Sequence, residues 1–197
     1  MAMDLGRLGP SVLSPARHSM GLQGDHLVQL YEDDAALADA VRTFLGAGIA
    51  GGGAAVVVAD AAHRDMFDRA LASSGVDLEA ARAQGRYISL DATETLAGFM
   101  VDGTPDQAKF TEVIGGLLDR AALCGTSVRV FGEMVALLWA EGNIAGAILL
   151  EEMWNRLAET HRFKLFCAYP ARAFDSDDLL PLRRVCHEHS HVIPPQR

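Results

Sequence analysis

The chain has 197 residues, half of them hydrophobic, enough for one sizeable core and, on the usual relation between length and domain number, one domain with small appendages. A formal charge of −9 and a pI near 5.1 argue against non-specific nucleic-acid binding, which depends on Lys and Arg neutralising phosphates. No apolar run approaches the roughly 20 residues that span a bilayer, so a soluble protein is expected. Cys124, Cys167 and Cys186 are odd in number and widely spaced, which fits buried or idle reduced thiols in a cytoplasmic protein better than a disulfide framework or a zinc module.

Residues 1–24 mix Gly, Pro, Ser, Arg and His without an apolar stretch and read as a flexible arm, neither signal peptide nor structured element. Residues 25–194 alternate strand-like and helix-like segments, as in a mostly parallel sheet covered by helices, and 195–197 form a tail. A first strand over 26–31 leads into a helix over 35–49, with Leu37, Val41, Phe44, Leu45 and Ile49 on one face. Residues 54–59 are apolar on both sides, as in a central parallel strand, and a helix over 62–73 turns Met66, Phe67, Ala70 and Leu71 inward. A third strand, 86–90, precedes a short helix capped by Asp91 or Thr93. Beyond a turn at 102–105, a helix over 106–123 has the clearest amphipathic period in the chain, with Phe110, Val113, Ile114, Leu117, Leu118 and Ala121 aligned. A fourth strand (128–131), helical segments (133–139 and 144–160), a fifth strand (163–169) and a helix over 177–189 complete the pattern. Five parallel strands with right-handed crossovers predict an α/β fold, a three-layer sandwich around a mostly parallel central sheet.

In such sheets ligands bind beyond the carboxyl ends of the strands. Those positions are acidic here: Glu32, Asp33 and Asp34 after the first strand, Asp60 with His63 and Arg64 after the second, Asp91 and Glu94 after the third, Glu133 after the fourth. Asp33, Asp34 and Asp91 are equally placed to cap the helices they precede. If the carboxylates converge, Arg64, Arg86, Arg129 or a metal must offset them, and the edge then prefers an organic ligand or a cation to a bare phosphate. Glu151 shares an apolar helical face with Asn155, so it must be paired, hydrogen-bonded or functional, and a buried Arg such as Arg129 is one candidate partner. Tyr31, Glu133, Trp139, Glu151, Trp154 and Tyr169 are the expected pocket lining, with Asp33, Asp34, Asp91, Glu94, Arg129 and Asn155 as further ligand-binding candidates; Trp139 and Trp154 fit a plain core as well.

Nucleophile motifs are missing from the sequence: there is no Gly-x-Ser-x-Gly or Cys-x-x-Cys, and the string His187-Glu188-His189-Ser190-His191, although it spells His-Glu-x-x-His, falls at a helix end and not inside a helix. No catalytic residue, cofactor or metal is therefore expected, and the chain does not read as an enzyme. Gly51-Gly52-Gly53 precedes a strand instead of opening a helix, the wrong context for a phosphate loop. His187, His189 and His191 alternate, but near a helix end their rings diverge, and they are not taken as a ligand set.

His26 with Tyr31-Glu32-Asp33-Asp34, Phe44-Leu45-Gly46, Gly85-Arg86, Asp91-Ala92-Thr93-Glu94, Val128-Arg129-Val130-Phe131-Gly132-Glu133, Leu138-Trp139, Glu151 with Trp154-Asn155, Cys167-Ala168-Tyr169-Pro170 and His189-Ser190-His191 together resemble the MEDS domain, the sensory domain of methanogens, methylotrophs and the dichloromethane regulator DcmR. The resemblance covers about residues 25–194. In element order the chain also resembles the RecA and KaiC-type ATPase core, with Tyr31 to Asp34 where the glycine-lysine phosphate loop would stand, so hydrolysis is not expected. The family likeness implies signal input from a small organic or hydrocarbon-like ligand. Residues 1–24 are too short and irregular for a helix-turn-helix, so output is expected through a regulatory protein partner or a second copy of the chain, without nucleic acid or membrane. A ligand-free interaction module on a degenerate ATPase fold and a residual nucleotide or metal binder remain as alternatives.

Overall fold

The computed structural model describes residues 25–174 and 180–195; the expected arm, the start of the expected helix over 177–189 and the end of the tail lie outside the described residues. β1 (His26–Tyr31) runs into α1 (Asp34–Ala50), whose N-terminus is capped by Asp33 accepting from the Ala36 amide. At Gly48 an added Cβ would stand 2.8 Å from Cδ of Arg129, so any larger residue at this point of α1 requires that side chain to shift. β2 (Ala54–Ala59) is buried at every position, which its uninterrupted apolar run requires of a strand covered on both faces. α2 (Ala61–Ser73) and α3 (Leu78–Ala83) follow, then β3 (Tyr87–Asp91) and α4 (Ala92–Ala97).

β4 (Met100–Val101) and β5 (Thr104–Pro105) form a small antiparallel hairpin whose two central residues, Asp102 and Gly103, both have positive φ (47° and 77°). The long amphipathic helix is one run, α5 (Gln107–Phe110) and α6 (Gly116–Cys124) joined by a π-helical turn at Thr111–Gly115. β6 (Val128–Gly132), α7 (Met134–Ala140), α8 (Ile144–Leu157), β7 (Lys164–Pro170), a 3-10 turn (Ala171–Phe174), α9 (Leu180–Glu188) and β8 (His191–Ile193) complete the described chain.

Six strands form one all-parallel sheet in the order β3-β2-β6-β7-β1-β8. The sixth, β8, is the strand that five-strand patterning missed. Three residues are too few to show alternation, and it is pairing with Leu27 to Gln29 that makes them a strand.

Alternate residues of each strand face opposite layers, which creates two cores. On one face Tyr31, Ala55, Val57, Phe131 and Phe166 pack against Leu37, Val41 and Leu45 of α1 and Phe67 and Leu71 of α2. On the other, Val28, Leu30, Val56, Val58, Val130 and Tyr169 pack under α4 to α9, with Trp154, Phe110 and Ile114 inside. Each fully buried Val, Leu or Phe contributes about 1.5–3 kcal/mol. The helices lie in two layers about the sheet, as a three-layer sandwich requires.

Candidate functional site

β2 and β6 are hydrogen-bonded neighbours, yet β2 hands the chain to α2 on one face and β6 hands it to α7 on the other. The loops part at the carboxyl edge, the position at which open α/β sheets hold ligands. Glu133, the first residue after β6, is buried there. Its Oε1 accepts the Asp60 amide, and its Oε2 lies 2.6 Å from His63 Nδ1. Asp60 caps α2 by accepting the His63 amide at 2.8 Å, which fixes His63 in the first helical turn above the strand end.

The His63 ring stacks on Phe67 at 5.7 Å, meets Tyr31 edge-on at 6.4 Å, and turns Nε2 toward Asp34 at 3.6 Å. Its hydrogen bond to Glu133 outweighs burial and, with the charges of Glu133, Asp60 and Asp34, raises its pKa to about 9, so it is an imidazolium at neutral pH. Burial, then the nearby charges of Glu133 and Asp34, pushes the Tyr31 phenol up to about 12. One cation thus faces three carboxylates, an arrangement that offers acceptors to a cation or a hydrogen-bond donor and repels a bare phosphate. His63 was absent from the expected ligand set; the Asp60-x-x-His63 spacing, a cap plus the first inward position of a helix, is the signal that points to it.

Other acidic candidates at this edge hold backbone. Asp33 caps α1, and Asp91 accepts the Thr93 and Glu94 amides while its Oδ2 lies 3.3 Å from Arg64 Nη2. Glu94 itself is exposed. Trp139 donates to the Ala173 carbonyl and packs against Tyr169 and Phe174, and Trp154 is buried between Phe110 and Phe163. Tyr31 belongs to one core and Trp139, Trp154 and Tyr169 to the other. The expected single lining of Tyr31, Glu133, Trp139, Glu151, Trp154 and Tyr169 is therefore divided by the sheet.

Arg129, one candidate partner for Glu151, is separated from it by the sheet. Arg129 projects toward α1, where Nη1 donates to the Phe44 carbonyl at 2.6 Å and the guanidinium covers the Phe44 ring. Glu151, on α8, sits in the opposite layer with its carboxylate sealed from solvent. The Tyr169 hydroxyl donates to Oε1 at 2.8 Å, while Oε2 is 3.3 Å from His26 Nε2, 3.4 Å from Cys167 Sγ and 3.5 Å from His189 Nε2. Burial works to raise the Glu151 carboxyl; His189, His26 and Tyr169 outweigh it and hold the group below the usual carboxylate range. Burial holds the His189 imidazole below its own usual range. Asn155 joins this cluster, accepting from His26 Nδ1 at 2.8 Å and donating to the Glu188 carbonyl at 2.9 Å. His187 and His191 are exposed, and only His189 of the histidine tract turns inward.

Residues 25–188 match the family model of the MEDS domain, the methanogen/methylotroph, DcmR sensory domain. The chain belongs to this family. No curated protein matches it. Membership of the MEDS family supports a sensory role, and the matched segment contains the His63–Glu133 pair. His189, Ser190 and β8 lie just beyond the matched residues, although they complete the MEDS sheet and the buried Glu151 cluster. Among the described residues no helix is long and apolar enough to cross a membrane.

Proposed function

We propose that this MEDS domain senses a small, weakly polar organic molecule in the crevice between β2 and β6 and transmits the change to a regulatory protein partner in the cytoplasm, by binding and without catalysis. The observation that carries the reading is the buried His63–Glu133 pair at the point where the two loops part. A hydrogen-bond donor entering the crevice competes for Glu133, the acceptor that holds both the Asp60 amide and His63, and so acts directly on the start of α2. Tyr31 and Phe67 supply apolar ring surface beside it. A signal requires different ligand affinity in two states, and the Glu133 contacts are the element that differs.

A second reading, a cation held by Asp60, His63 and Glu133, is favoured by ligand atoms that all lie within 4.8 Å of one another. Thermal melting with short alcohols, primary amines, halogenated hydrocarbons and divalent cations separates the two. A saturable rise in Tm with an organic probe, lost in Glu133→Gln and Tyr31→Ala, supports organic sensing. A rise with that probe which survives both substitutions places recognition elsewhere, and a rise with cations alone that is lost in Glu133→Gln favours the second reading.

A further inference from the structure

The histidine tract, the buried cysteine and the carboxylate on the apolar face of α8 are separate features in the sequence, and the fold brings them to one point. His26 from the start of β1, Glu151 from α8, Cys167 from β7 and His189 from the turn after α9 are all buried, and their donor atoms lie within 4.8 Å of one another. We propose that these four side chains form a tetrahedral binding site for a zinc-type divalent cation.

Three independent observations carry this. The first is spacing. Tetrahedral zinc, with bonds of about 2.0–2.1 Å to nitrogen or oxygen and about 2.3 Å to sulfur, separates its donors by about 3.3–3.6 Å. Four of the donor pairs are at that separation: His26 Nε2 to Glu151 Oε2 at 3.3 Å, His26 Nε2 to Cys167 Sγ at 3.5 Å, Cys167 Sγ to Glu151 Oε2 at 3.4 Å, and His189 Nε2 to Glu151 Oε2 at 3.5 Å.

The second is orientation. Three of the four ligating groups are held by a contact on their other atom: His26 Nδ1 donates to Asn155 Oδ1 at 2.8 Å, His189 Nδ1 donates to the Val185 carbonyl at 2.6 Å, and Glu151 Oε1 accepts from Tyr169 at 2.8 Å. Both Nε2 atoms therefore turn inward. This is the outer arrangement that metal-binding imidazoles and carboxylates require.

The third is an orphan. His189 Nε2 is buried without a hydrogen-bond partner, and with Nδ1–H committed to Val185 it presents a lone pair toward the Glu151 carboxylate. Two electron-rich atoms facing each other in a sealed core cost free energy unless a proton or a cation lies between them. Two imidazoles, a thiolate and a carboxylate form a donor set suited to zinc in a site closed to water. On binding, the Cys167 S–H proton, and any proton that His26 Nε2 shares with Glu151, leave to solvent as the metal–sulfur and metal–nitrogen bonds form. The cation would tie β1, β7, α8 and the β8 connection together.

Cobalt tests the site directly because it replaces zinc and reports its ligands. The chain is stripped of metal with chelator in denaturant and refolded with cobalt chloride. One cobalt per chain is expected, with visible bands of a tetrahedral ion and a near-ultraviolet thiolate-to-cobalt band; one equivalent of zinc abolishes both. The thiolate band disappears in Cys167→Ser and persists in Cys124→Ser and Cys186→Ser. Should Cys167→Ser fail to fold, persistence in the other two assigns the sulfur by elimination. Tyr169→Phe keeps the band and weakens zinc affinity about 10–100-fold. No stoichiometric cobalt uptake, or uptake without a thiolate band, overturns the proposal; the latter places the ion at Asp60, His63 and Glu133, which contain no sulfur.

Discussion

His63 loses its proton near pH 6.5 in an unfolded chain and near pH 9 beside Glu133, so the folded state gains from the charged ring. Because the folded pKa is the higher one, this stabilisation is complete below about pH 6.5 and fades as pH rises through about 9. Urea unfolding across that window should show the midpoint falling, with a loss on the order of 1–3 kcal/mol, and the fall should flatten in Glu133→Gln. An unchanged slope in Glu133→Gln assigns the pH dependence to other groups. At this scale the sequence reveals which residues are anomalous but not their partners. Glu151 stands out as a carboxylate on an apolar helical face, whereas His26 and Cys167 look ordinary because their neighbours come from elements distant in the sequence.

Helix starts explain much of the acidity at the sheet's carboxyl edge. Asp33, Asp60, Asp77, Asp91 and Asp106 each accept a backbone amide at the N-terminus of a helix, and Asn143 does so for α8. These contacts satisfy amides that the helix cannot, and the negative charge complements the helix end. Asp91→Ala should therefore cost about 0.5–2 kcal/mol in chemical denaturation. Asp91→Asn should recover most of it, since Asn caps about as well, less the contribution of the Arg64 contact. Equal destabilisation by both variants would make Arg64, and not the cap, the principal partner. Elements were legible where a period had room to repeat: five strands and the amphipathic run ending at Cys124. β8 was not, because three residues carry no period and its identity depends on β1.

The sheet closes on β8, and with it the first strand gains a second neighbour. Ser190 ties the two ends of the domain together: its amide and hydroxyl both donate to the His26 carbonyl, at 2.8 and 2.9 Å, and its Oγ accepts the His26 amide at 3.0 Å. Truncation after Glu188, the end of the family match, leaves β1 unpaired on one side and removes His189. Thermal unfolding of the truncated chain should shift down by several degrees, since about 1 kcal/mol corresponds to about 2–4 °C in a domain of this size. An unchanged Tm would show that β8 adds nothing to the cooperative unit. Local patterning by itself determined the α/β class, the central position of β2, the helix caps and the absence of a glycine-lysine phosphate loop, because each depends on residues a few positions apart. Tertiary structure alone decided that Arg129 and Glu151 face opposite layers, that His63 pairs with Glu133, and that His26, Glu151, Cys167 and His189 meet. Those outcomes depend on strand order and on which face each crossover takes, and neither quantity is encoded within a single segment.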